Sequence, residues 1–67
     1  MTNTFNEIFI AHGFQAKKKF YGYTSYYNKD KDVWGQIDLI ARTIELNDKQ
    51  LKYSVTELIN EINKLKS

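Results

Sequence analysis

Few side chains in this chain of 67 residues could carry covalent chemistry. His12 is the single histidine, and no cysteine exists to act as a nucleophile or thiolate metal ligand. His12 closes a helical stripe, where a packed or capping histidine is a commoner role than a general base. Gly13, Gly22 and Gly35 are scattered and build no phosphate-cradling loop. Asn28-x-Asp30-x-Asp32 has the opening spacing of a calcium loop. Val33 stands where the tight turn needs glycine, however, and Leu39 where a bidentate glutamate must close the site. Asp38 and Asp48 fall on different elements, so spacing argues no carboxylate pair. No catalytic residue, metal or cofactor is expected, and the chain reads as non-enzymatic.

Non-covalent recognition is better provided for. The stretch Lys17 to Trp34, KKKFYGYTSYYNKDKDVW, holds three consecutive lysines and six of the chain's ten aromatic rings. So short a chain cannot hide every ring, which leaves some for solvent or a partner. The net charge is only +2 but unevenly spread. Residues 17 to 31 set five lysines against Asp30, a local +4, and residues 32 to 48 set four acids against Arg42, a local −3. A basic stripe beside an acidic one suits an anionic partner at one edge, although mixed charge also serves solubility.

The elements that must position these groups are legible in part. Thr4-Phe5-Asn6-Glu7 is a capping box, followed by Phe5, Ile8, Phe9 and His12 at helical spacing. Gly13 suits a left-handed C-cap, with Phe14 folding back on Phe9 or Ile8. Ser54-Val55-Thr56-Glu57 opens a second helix whose stripe is Val55, Leu58, Ile59, Ile62 and Leu65, with Lys64 and Lys66 in its last turn. Between them, Phe20 to Tyr27 has strand composition and Asn28 to Asp32 is a polar turn. Strand character resumes at Val33, and a turn at Asn47 to Gln50 precedes the alternating Leu51, Tyr53 and Val55. Val33, Ile37, Ile40, Ala41 and Ile44 also fit a helical face with Asp32 as N-cap. Trp34, Gly35 and Thr43 favour the strand.

The expected fold is therefore α+β: a two-layer α-β-β-β-α domain over residues 1–67, its three-stranded antiparallel sheet carrying two helices on one face. That element order resembles double-stranded-RNA-binding domains in topology alone. Those domains begin their second helix with a basic cluster, where this chain has Ser54-Val55-Thr56-Glu57, so no residue role is carried over. No apolar run is long enough to span a bilayer, and the N-terminus lacks a signal-peptide pattern. A soluble cytoplasmic protein with no membrane partner and no small-molecule substrate is expected. Richness in Asn, Lys, Ile and Tyr without proline is of the kind that AT-rich phage or mobile-element genomes encode.

If the turn pairs Tyr27 with Val33, period-2 alternation sends Tyr27, Tyr23, Tyr21, Val33, Ile37 and Leu39 to the core. The opposite, open face then collects Tyr26 opposite Trp34, Phe20 opposite Ile40 and Lys18 opposite Arg42, with Gln36 nearby. Continuing the second strand as far as Leu46 requires a bulge near Arg42-Thr43. The candidate binding set is Lys17, Lys18, Lys19, Phe20, Tyr26, Trp34, Gln36 and Arg42. Rings framed by cations on a sheet suit nucleic acid, with stacked bases and lysine-held phosphates. The alternative is a protein-interaction module, an inhibitor or adaptor using the same face or an edge strand. A homodimer through that face is a third expectation, and cross-strand ring pairing alone is the plain structural use.

Overall fold

The computed structural model describes residues 4–65; the expectation for Lys66 lies outside them. Helix α1 (Thr4–Ala11) ends as its sequence requires. The His12 N–H bonds back to Ile8 and Phe9, and Gly13 takes φ +89°. The chain thereby reverses and sets the Phe14 ring edge-on to Phe9, 5.2 Å between centroids. The His12 imidazole lies 2.8 Å from the Ile8 carbonyl through Nδ1, which makes it a helix-end cap.

Helix α2 (Val55–Asn63) begins at Ser54, whose hydroxyl accepts from the Glu57 N–H at 3.4 Å. Only half of the capping box forms, because the Ser54 N–H donates instead to the Lys52 carbonyl. Leu58 and Ile62 are the buried residues of its apolar stripe.

The sheet is antiparallel, as expected, but has five strands rather than three: β1 (Phe14–Phe20), β2 (Tyr23–Asn28), β3 (Val33–Asp38), β4 (Thr43–Leu46) and β5 (Lys49–Leu51), in the order β1-β2-β3-β4-β5. This meander removes the topological resemblance to double-stranded-RNA-binding domains. Two tight turns account for much of the difference. Tyr21-Gly22 closes β1 on β2, and Asn47-Asp48 closes β4 on β5, with all four residues at positive φ. That is the geometry two-residue hairpins need.

The expected long second strand instead folds on itself. Asp38 accepts at 3.0 Å from both the Ile40 and Ala41 N–H groups, and Arg42 sits at φ 58°. Residues 39–42 therefore form a loop, and β3 pairs with β4. The bulge lies not at Arg42-Thr43 but in β1, between Ala16 and Lys18.

Register is the main correction. Asn28 pairs with Val33, Tyr27 with Trp34 and Tyr26 with Gly35, one residue away from the expected pairing, and that slip exchanges the two faces of β2 while Val33, Ile37 and Trp34 of β3 keep the facing expected of them. The cause is Asn28, which the sequence pattern assigns to the turn. Buried at the end of β2, it donates through Nδ2 to the His12 carbonyl and accepts the Lys31 N–H through Oδ1. Tyr26 consequently faces the core. Its ring stacks on Phe9 at 4.2 Å, 12° from parallel, and its hydroxyl donates to Asn6 Oδ1 at 2.7 Å. Burial pushes its phenol above the ordinary tyrosine range.

Side chains from both helices and all five strands meet in one cluster, with Phe9, Tyr26, Ile37, Ile44 and Leu58 at its centre. Gly35 lets Phe9 approach the sheet, since a Cβ there would lie 2.5 Å from Phe9 Cε1.

Candidate binding face

With one face of the sheet committed to that core, alternation turns the other set of side chains outward. Row by row across the strands, the pairing brings together Gln15, Tyr27 and Trp34; then Lys18, Ser25, Gln36, Glu45 and Gln50; then Phe20, Tyr23, Asp38 and Thr43. Trp34 is 54% exposed, its indole tilted against the Tyr27 ring at 4.8 Å. The Tyr27 hydroxyl donates to Asp32 Oδ1 at 2.6 Å, which holds that phenol above its ordinary pKa of 10.0.

Part of this face, centred on the middle row, forms an open concavity of about 400 Å³, at the lower end of the size of small-ligand sites. Lys17 and Lys18 line its β1 side, Trp34, Ser25 and Gln36 its middle, and Glu45 with Asp48 its far side. Gln36 is oriented by Tyr23, whose hydroxyl donates to Oε1 at 2.6 Å and leaves the amide NH₂ available. Cations thus stand at one edge of the concavity and carboxylates at the other.

The expected site residues divide clearly. Lys17, Lys18, Trp34 and Gln36 come together around the concavity, and Phe20 lies beside it with its ring 6.0 Å from that of Tyr23. Lys19 pairs with Thr24, whose side chain is in the buried layer, so alternation turns it to the opposite face. Arg42 also leaves the set: its guanidinium sits 5.1 Å from the centroid of the Tyr53 ring, which in turn packs on Phe5. Tyr26 is sealed in the core, for the register reason above. Tyr23, Ser25, Tyr27, Glu45 and Asp48 were missed. Tyr23 and Tyr27 would have followed from the correct register. Glu45 and Asp48 reach the site only through the β3–β4 fold-back, which no local pattern signals.

The lysine run has a second effect. β1 is an edge strand, and edge lysines with a bulge discourage pairing with another chain. A separate feature lies at the end of the sheet formed by the turn 21–22 and the loop 39–42. There Phe20, Tyr21, Leu39 and Ile40 are exposed, Tyr21 to 92% and Ile40 to 72%. Ile40 approaches Gly22 so closely that a Cβ there would meet it at 3.1 Å, so the two turns form one apolar tip.

No protein-family model matches the chain, and no match was found among curated proteins or solved structures. No helix among the described residues is long and apolar enough to cross a membrane.

Proposed function

We propose that this chain is a non-enzymatic binding protein that contacts single-stranded nucleic acid through the open face of its sheet. The supporting observation is the exposed Trp34 ring beside Lys17 and Lys18 on one concave surface. A base stacks on the indole while the lysines hold the neighbouring phosphate, the division of labour used by single-strand binders. A duplex fits less well, because its second phosphate backbone would meet Glu45 and Asp48.

Titration of Trp34 fluorescence with single- and double-stranded oligonucleotides tests this, since Trp34 is the only tryptophan. Two phosphate-bound lysines should give a slope of log K against log salt of about −1.4 on single strands. A flat salt response, or no response to any oligonucleotide, rejects the reading.

The second reading is a protein-interaction module, inhibitor or adaptor, and the apolar tip favours it. Convergent exposed Phe20, Tyr21, Leu39 and Ile40 are of the kind that anchor in a partner's pocket. A capture that survives nuclease and high salt, and is lost in Ile40→Asp but kept in Trp34→Ala, supports it. The reverse dependence removes it.

A further inference from the structure

Resting on the nucleic-acid reading, we infer that the concavity reads the base as well as holding it, and that it selects guanine by its hydrogen-bond-donor edge. Three observations carry this. First, the groups of opposite charge in the concavity do not neutralise each other. Among the described residues, neither the Glu45 and Asp48 carboxylates nor the Lys18 ammonium has an ion-pair or hydrogen-bond partner. Glu45 is half-buried in this state, and so placed a carboxylate gains from a ligand that supplies N–H groups.

Second, the order of groups is fixed by the ladder. Lys18, Ser25, Gln36 and Glu45 occupy consecutive strands in one row. Lys18 and Glu45 are three strand spacings apart, about 14 Å between backbones. Once both side chains reach inward, that gap accommodates one nucleotide laid across the sheet, phosphate on the β1 side and base edge on the β4 side. Third, the Tyr23 hydroxyl occupies Gln36 Oε1, so Gln36 offers its NH₂ as a donor. From β3 to β4 the protein therefore presents a donor and then an anionic acceptor.

The complementary ligand edge is an acceptor followed by donors. Guanine has this pattern: O6 receives the Gln36 amide, and N1–H with the N2 amino group meets the Glu45 carboxylate in a bidentate pair. Adenine and cytosine offer one amino donor beside a ring-nitrogen lone pair that the carboxylate repels. Thymine and uracil flank their single N–H with two carbonyls. Trp34 supplies the stacking plane for any base and carries no selectivity. Asp48, in the turn that follows β4, adds negative potential at the donor edge.

The test uses deoxyheptanucleotides of thymidine with a single central guanine, hypoxanthine, adenine, cytosine or thymine, read by Trp34 fluorescence. Guanine should bind roughly tenfold or more tightly than the other bases, the scale of one bidentate base contact. Hypoxanthine, which lacks the 2-amino group, should lose most of that preference. Glu45→Gln should abolish the preference, so that within this variant the guanine heptamer binds no more tightly than the thymidine heptamer. Asp48→Asn, in a turn position that asparagine tolerates, should weaken the preference without affecting the fold. Equal affinity for all five heptamers overturns base reading and leaves the nucleic-acid proposal standing. Guanine preference that persists in both acid variants overturns the assigned reader. Failure of every heptamer to bind overturns both proposals.

Discussion

Replacing Gly35 by alanine tests the packing that forces the sheet's faces apart. Gly35 lies in β3, paired with Tyr26 on one side and Leu46 on the other. A methyl placed there would sit 2.5 Å from Phe9 Cε1 and 3.1 Å from Cζ. Phe9 cannot simply retreat, because it is fully buried, stacked on Tyr26 and edge-on to Phe14. Overpacking of this kind costs about 1–3 kcal/mol. Against it stands the gain from replacing glycine inside a strand, about 0.5–1 kcal/mol. The steric term wins, and the net loss should be about 1–2 kcal/mol. A domain of this length has roughly 3–10 kcal/mol to lose. Urea denaturation followed by far-UV circular dichroism should show the midpoint falling by about 1–2 M, for a slope of about 1 kcal/mol/M. In a Phe9→Leu background, where the ring is gone, the same glycine substitution should cost clearly less. An unchanged midpoint in Gly35→Ala, or an equal cost in both backgrounds, would refute the claim that Phe9 occupies the space above Gly35.

Four other outcomes follow from the same packing and hydrogen bonds. Asn28→Ala should cost about 1–3 kcal/mol in a urea titration, since the His12 carbonyl and Lys31 N–H lose their partner at a buried site. Glu61 bonds Lys64 at 3.2 Å and Lys49 at 3.3 Å, which together hold its carboxyl below the ordinary 4.5. With the folded pKa depressed, that contribution is complete above the free-glutamate value and vanishes as pH falls through the folded one. Glu61→Gln should accordingly lower the melting temperature at neutral pH and converge with the parent in acid. The Tyr27 phenol, raised by its bond to Asp32, should ionise later than a free tyrosine in an ultraviolet alkaline titration. Its stabilising contribution is present below pH 10.0 and lost as pH rises through the folded pKa, and Asp32→Asn should move the titration back. In the oligonucleotide assay, Lys18→Ala should reduce the single-strand salt slope by about 0.7. Lys19→Ala, changing a lysine of the same run that faces the other way, should leave it nearly unaltered.

The helices were legible because their instructions are local. The Phe9, Gly13 and Phe14 ending and the Ser54 cap each depend on residues within a turn or two, and the apolar stripes name their own buried side. The antiparallel α+β character followed from composition, and so did the exposure of Trp34 once a strand was assumed there. The strand Phe14–Phe20 left almost no trace, since Gln15-Ala16-Lys17-Lys18-Lys19 is an edge with little apolar alternation. Tyr21 at φ 28° hid the first hairpin turn, because tyrosine is a poor marker for positive φ.

By itself, then, the sequence determined two capped helices, a β-rich middle, and the presence of more rings and lysines than a small core can absorb. Tertiary structure alone decided which rings and lysines share a surface. Facing in a strand has a period of two, so it turns on a single residue of register, and that residue is set by contacts remote in sequence, among them Asn28 with the His12 carbonyl 16 positions away and Tyr26 with Phe9. In that register Tyr26 lies under Phe9, and Tyr27 stands beside Trp34 on the face that also holds Lys18 and Glu45.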